Sequence, residues 1–252
     1  MNSAKLDFRF TEFSEVWPSG AQQSSRSTCR TDPQNPAHTI YLSVDAPHPS
    51  RDTIEGNLME GDAVSVSVLD MSMSLDGYIA DPNDFLGGED GNRLHEWFAP
   101  GGEFARPSGP AGEFLDEWNA TGAVLVGRRT AELMDHWGGD HNGAPIFVPS
   151  HRPPGPAAVN YPLVTYVRDG IASAMEQAKA AAGDRDVQVR GGYTAHRVLE
   201  AGVLDELQIH QVPVLLGGGL RLFDVLPSRI ELEVIRVIDT PEATDIRYQI
   251  RR

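Results

Sequence analysis

The sequence predicts an α/β fold: a mixed, mostly parallel sheet with helices on both faces and an antiparallel hairpin at its C-terminal end. Three observations carry this. From residue 63 onward, short valine-rich runs of strand length alternate with helical stretches. Polar turns, two of them glycine-bearing, follow several of those runs. The last two apolar segments, Ile230 to Ile238 and Ala243 to Ile250, flank the turn Thr240-Pro241-Glu242 and read as an antiparallel pair.

Residues 1–60 stand apart from this pattern. They are rich in Ser, Pro, Asn, Gln and Thr, and only Thr39 to Val44, closed by Pro47 and Pro49, is strand-like. They read as a poorly ordered extension before one domain, residues 61–252. Met59, just ahead of that domain, offers an alternative start.

Within the domain, Val64, Val66 and Val68 alternate with Ser65 and Ser67, and the run continues to Met73 as a first strand. It feeds Ser74-Leu75-Asp76-Gly77-Tyr78-Ile79-Ala80, a turn with an acid at its tip. A loop at 81–91 leads to a helix around Arg93 to Phe98. A second loop, 100–112, leads to a helix over Glu113 to Asn119, with Phe114, Leu115 and Trp118 on one side. Ala123 to Val126 is a strand, Gly127-Arg128-Arg129-Thr130 a turn, and Ala131 to Trp137 begins a helix. The strand Pro145 to Pro149 delivers Ser150-His151-Arg152 to its C-terminal end. Leu163 to Val167 is a strand and Ile171 to Ala182 an alanine-rich helix. Val187 and Val189 mark a strand before Gly191-Gly192 and a helix over Thr194 to Ala201. A further strand, Leu207 to Leu216, runs into Gly217, Gly218 and Gly219.

Composition excludes several classes. A net charge of -15 argues against general nucleic-acid binding, which needs a basic surface. No apolar run approaches the roughly 20 residues of a membrane span, and the first residues lack a secretory pattern. Cys29 is the single cysteine, so an internal disulfide or thiolate cluster is impossible, which fits a cytoplasmic protein. His136 and His141 are separated by a glycine pair rather than one helical turn, and no metal site is predicted.

A strand, then glycines, then a helix N-terminus is the local geometry that binds phosphate. In such sheets ligands bind beyond the carboxyl ends of the strands. Gly127 to Thr130, Ser150 to Arg152 and Gly191 to Thr194 all stand at such ends, which predicts one shared rim. Each group also has a plainer use. Gly191-Gly192 makes a tight turn, the arginines have many surface carboxylates to pair with, and Asp76-Gly77 is a common turn dipeptide. The glycine runs do not match the dinucleotide fingerprint of doubly wound oxidoreductases.

These residues resemble a known family. Ser74-Leu75-Asp76-Gly77-Tyr78-Ile79-Ala80, Gly127-Arg128-Arg129-Thr130, Gly191-Gly192-Tyr193-Thr194 and Leu204-Asp205-Glu206-Leu207 with Pro213-Val214-Leu215-Leu216-Gly217 are similar to the dihydrofolate-reductase-like superfamily. The branch is the C-terminal reductase domain of bacterial riboflavin biosynthesis. The resemblance implies an NADPH-dependent reductase of a small-molecule substrate. It places Gly127, Arg128 and Thr130 on the cofactor's phosphates, and Ser150, His151 and Arg152 around the adenosine ribose and its extra phosphate. It also places Gly191, Gly192, Tyr193 and Thr194 at the pyrophosphate, with Asp76 beside the substrate. Such reductases often pair as homodimers through sheet edges.

The resemblance leaves three functions open: reduction of 5-amino-6-(5-phosphoribosylamino)uracil, a dihydrofolate or pterin-type reduction, and a non-catalytic NADPH-binding module. This chain also departs from the pattern. Arg190 stands where the riboflavin reductase usually has an acid, and Glu113, Asp116 and Glu117 give no proton donor in clear register.

Overall fold

The computed structural model describes residues 65–82, 88–98, 109–156, 158–224, 226 and 228–252. All lie in one compact unit. The extension read at residues 1–60, including its strand at Thr39 to Val44, lies outside the described residues.

The chain enters as β1 (Ser67–Ser74), turns, and makes the short β2 (Tyr78–Ala80). Two helices follow, α1 (Gly88–His95) and α2 (Pro110–Asn119), then β3 (Ala123–Val126), α3 (Arg128–Leu133), β4 (Ile146–Pro149) and β5 (Val164–Val167). Next come α4 (Ile171–Ala182), β6 (Val187–Arg190), α5 (Gly192–Glu200), β7 (Glu206–Val212) and the two-residue β8 (Leu220–Arg221). The hairpin β9 (Leu232–Asp239) and β10 (Thr244–Ile250) closes the chain.

Eight of these strands form one sheet in the order β5-β4-β3-β6-β1-β7-β10-β9. The six from β5 to β7 are parallel, and β10 joins β7 antiparallel before pairing with β9. The predicted mixed sheet and closing hairpin are therefore both present.

Burial on both faces explains the valine runs. Val124, Val126, Ile146 and Val148 pack with Ala131 of α3 on one face. Leu69, Leu125, Phe147, Val187 and Val189 pack on the other with Ala174, Met175 and Ala178 of α4 and Ala195 and Val198 of α5. Alternate residues of a strand point to opposite faces, so a strand buried on both must be apolar throughout. A third cluster, Leu94, Trp97, Phe114 and Val212, seats α1 and α2.

Several boundaries differ from the sequence reading. The helix expected over Ala131 to Trp137 instead runs Arg128–Leu133 and gives way to positive φ at Asp135, His136 and Trp137. The first helix starts at Gly88 rather than near Arg93, with Glu89 and Asp90 complementing the positive end of its dipole. β7 stops at Val212 because Pro213 has no N–H for the ladder. The second glycine run, Gly217 to Gly219, leads into β8, which pairs with β2. No described helix is long and apolar enough to cross a membrane.

Candidate functional site

Six parallel strands put six carboxyl ends along one edge of the sheet, so the turns after β1, β3, β4, β6 and β7 all lie there. Contacts tie them into a continuous rim. A Cβ built on Gly127, after β3, would come within 2.7 Å of Thr194 Oγ1, after β6. A Cβ on Gly191 would meet Thr130 Oγ1 at 3.0 Å. Only glycine lets these two turns lie so close, and Gly191 also holds φ +89°.

The β3 and β4 turns are joined by Arg128. Its Nη1 donates to the Pro153 carbonyl at 2.8 Å and to Ser150 Oγ at 3.3 Å, while Nε pairs with Glu132 at 2.7 Å. Arg128 is thus a brace as well as a cation. Ser150 Oγ in turn accepts from the Arg152 amide at 3.2 Å. His151 and Arg152 are exposed. Arg129, Glu132, Leu133 and Arg152 line a cleft of about 400 Å³ beside the brace.

The β6 turn launches α5. Thr194 is buried, yet its hydroxyl has no hydrogen-bond partner among the described residues. Leaving such a group unpaired costs about 1–3 kcal/mol. A hydroxyl in a helix's first turn, beside two glycines, suits an anion drawn to the exposed amides and the dipole. Tyr193 is 76% exposed and turned away from the core.

Asp76 sits on the turn after β1, which adjoins the β6 turn: a Cβ on Gly192 would meet Ile79 Cδ1 at 2.8 Å. Both its carboxylate oxygens are engaged. Oδ1 accepts from Ser74 Oγ at 2.6 Å and the Leu216 amide at 3.1 Å, and Oδ2 from the Gly217 amide at 2.7 Å. The Ser74 hydroxyl first, and these amides after it, hold the carboxyl below its usual pKa. Asp76 therefore anchors the loop after β7. It thereby occupies the first amide of the second glycine run, that of Gly217.

A charged stripe that no sequence motif announces lies on the sheet face under α1 and α2. His210 pairs through Nδ1 with Asp245 and presents Nε2 to Asp70 at 3.5 Å. Trp97 stacks on its ring at 4.1 Å. The available signal was polar residues at inward positions of otherwise apolar strands. Asp205, within the motif most specific to the resemblance, lies at the opposite edge of the sheet. There it accepts from Ser67 N and Oγ, Lys179 and Arg252, which makes it a clamp. Among the described residues no group of three or more His, Cys, Asp or Glu could hold a metal ion.

A family model described as the RibD C-terminal domain matches residues 66–243. The chain belongs to that family.

This RibD C-terminal domain is an oxidoreductase of the family's reductase type. A solved structure described as a riboflavin biosynthesis protein, from Shewanella sp. PV-4, is 25% identical with a TM-score of 0.59, over 74% of this chain and 99% of its own. A diaminohydroxyphosphoribosylaminopyrimidine deaminase/5-amino-6-(5-phosphoribosylamino)uracil reductase from Thermotoga maritima is 14% identical with a TM-score of 0.49. The match covers 75% of this chain and 57% of that one. A pyrimidine reductase-like protein from Corynebacterium diphtheriae is 13% identical with a TM-score of 0.48, over 75% and 92%. No curated protein matches the chain.

Proposed function

We propose that this RibD C-terminal domain is an NADPH-dependent reductase of a small heterocyclic substrate, of the 5-amino-6-(5-phosphoribosylamino)uracil reductase type. The family supports the reaction class. The observation that carries the cofactor is the buried, unpartnered Thr194 hydroxyl at the N-terminus of α5, wedged between Gly127 and Gly191. Gly192 and the first turn of α5 offer amides to a pyrophosphate and Thr194 a donor, while the Gly191 amide donates to Met71 Sδ at 3.3 Å. Arg152 and Arg129 border the neighbouring cleft and suit the extra phosphate of NADPH, because a guanidinium fork binds phosphate bidentately and stays charged. Arg128 keeps those two turns in register.

When bound, the dihydronicotinamide supplies a hydride to an electrophilic carbon. The chain's share is to hold the reactants in reach and exclude water. Asp76 serves by fixing the loop after β7 against the turn after β1.

Titration of NADPH and NADH tests the cofactor assignment. Arg152→Ala should weaken NADPH by about tenfold, roughly the worth of one charge-assisted phosphate contact, and leave NADH nearly unchanged. Equal losses for both would remove Arg152 from the extra phosphate. NADPH oxidation, followed by absorbance against pyrimidine and pterin substrates, tests the reaction. Turnover of pterins alone would overturn the pyrimidine assignment, and binding with no turnover of any would leave a binding module.

A further inference from the structure

Arg190 ends β6 one residue before the nucleotide turn. Alternation along the strand puts it on the face opposite Val187 and Val189, with α2 rather than α5. Its guanidinium lies 4.6 Å from the ring centre of Trp118 and 5.3 Å from that of Trp137. Nε and Nη2 donate to Gln188 Oε1 at 3.0 and 2.7 Å. Other arginines of this face hold carboxylates, Arg236 with Glu117 and Arg247 with Glu206. Arg190 has no such pair among the described residues. Burial lowers its pKa to about 10, against the opposing pull of Asp70, so it is charged at neutral pH.

His141 completes the cluster. It is 3% exposed and stands edge-on to Trp118 at 4.7 Å and to Trp137 at 5.9 Å. Neither ring nitrogen has a partner among the described residues. Burial, then the charge of Arg190, pushes its pKa down to about 2, so it is a neutral imidazole with one donor and one acceptor unused. The backbone that presents Trp137 is itself strained. Asp135, His136 and Trp137 hold φ of 46°, 54° and 52°, a left-handed run that costs roughly 1–2 kcal/mol per residue.

We propose that Arg190, Trp118, Trp137 and His141 form an oxyanion-binding site beside the nucleotide turn, and that a carboxylate or phosphate of the substrate docks there. The two indoles flank the guanidinium and shield it, which strengthens a charge-assisted pair. His141 supplies a further donor. That the occupant is the reductase's substrate rests on the function proposed above; that the site takes an oxyanion does not.

Calorimetric titration with two probes, ribose 5-phosphate and benzoate, tests this on wild type, Arg190→Gln, Arg190→Lys and Arg152→Ala. At least one probe should bind wild type at millimolar affinity or better. Binding should weaken by about tenfold or more in Arg190→Gln, less in Arg190→Lys, and stay unchanged in Arg152→Ala. Binding of ribose 5-phosphate alone assigns a phosphate, and of benzoate alone a planar carboxylate. If neither probe binds wild type, or Arg190→Gln binds as tightly, the proposal fails. NADPH titration of the same variants keeps the two readings separate. Failure of NADPH to bind, with Arg190-dependent oxyanion binding intact, would sink the nucleotide reading alone. Should Arg190→Gln lose its circular dichroism, Arg190→Lys carries the test through the lost fork.

Discussion

His210 shows at one residue how this sheet tolerates charge in its interior. Burial alone would drive its proton off, but Asp70 and then Asp245 outweigh it and raise the pKa to about 9. A folded pKa above the ordinary 6.5 means that the proton favours the native state. That contribution is complete below about pH 6.5 and fades as pH rises towards 9. A shift of this size corresponds to about 3 kcal/mol. Urea unfolding between pH 6 and 9.5 should show stability falling by about that amount, and His210→Gln should flatten the slope. A level wild-type profile would mean that the imidazole is neutral. Asp76 makes a different prediction. Asp76→Ala releases the Leu216 and Gly217 amides, so hydrogen exchange at Gly217 should quicken while NADPH affinity holds. Unaltered exchange would show that the loop is fixed without the carboxylate.

Among the elements, the strand–glycine–helix turns were legible because everything that makes them is local: a buried run, a residue free of Cβ, a helix start. The ribbon of β2 and β8 was not. Its strands are three and two residues long, too short for any period, and it depends on Gly219 lying against Ala80. A Cβ on Gly219 would stand 2.1 Å from the Ala80 carbonyl oxygen, at φ +134°. Gly219→Ala should therefore cost about 2 kcal/mol or more, read as a lowered melting temperature. The Arg190 cluster was equally hidden. It forms only because the left-handed run at Asp135, His136 and Trp137 swings an indole back over β6. Asp76 was half legible: the sequence shows an acid in a turn, but the amides it grips lie about 140 residues away.

At the scale of the whole molecule, β9 is an outer strand of the sheet, and Leu232, Val234 and Val237 are 40%, 54% and 42% exposed. An apolar outer strand invites pairing with a second chain. Light scattering across a concentration series should show dimers, and Val234→Lys should yield monomers; dimers persisting in that variant would move the contact elsewhere. The sheet order has a further consequence, for birth on the ribosome. β1 is at the middle of the sheet, yet its neighbours β6 and β7 begin only at Val187 and Glu206. At about 5–20 residues per second of synthesis, β1 waits on the order of 10 s for them. Throughout that interval its Leu69, Met71 and Met73 have no sheet to join, so nascent chains arrested before Val187 should be captured by chaperones and those arrested after Arg252 should not.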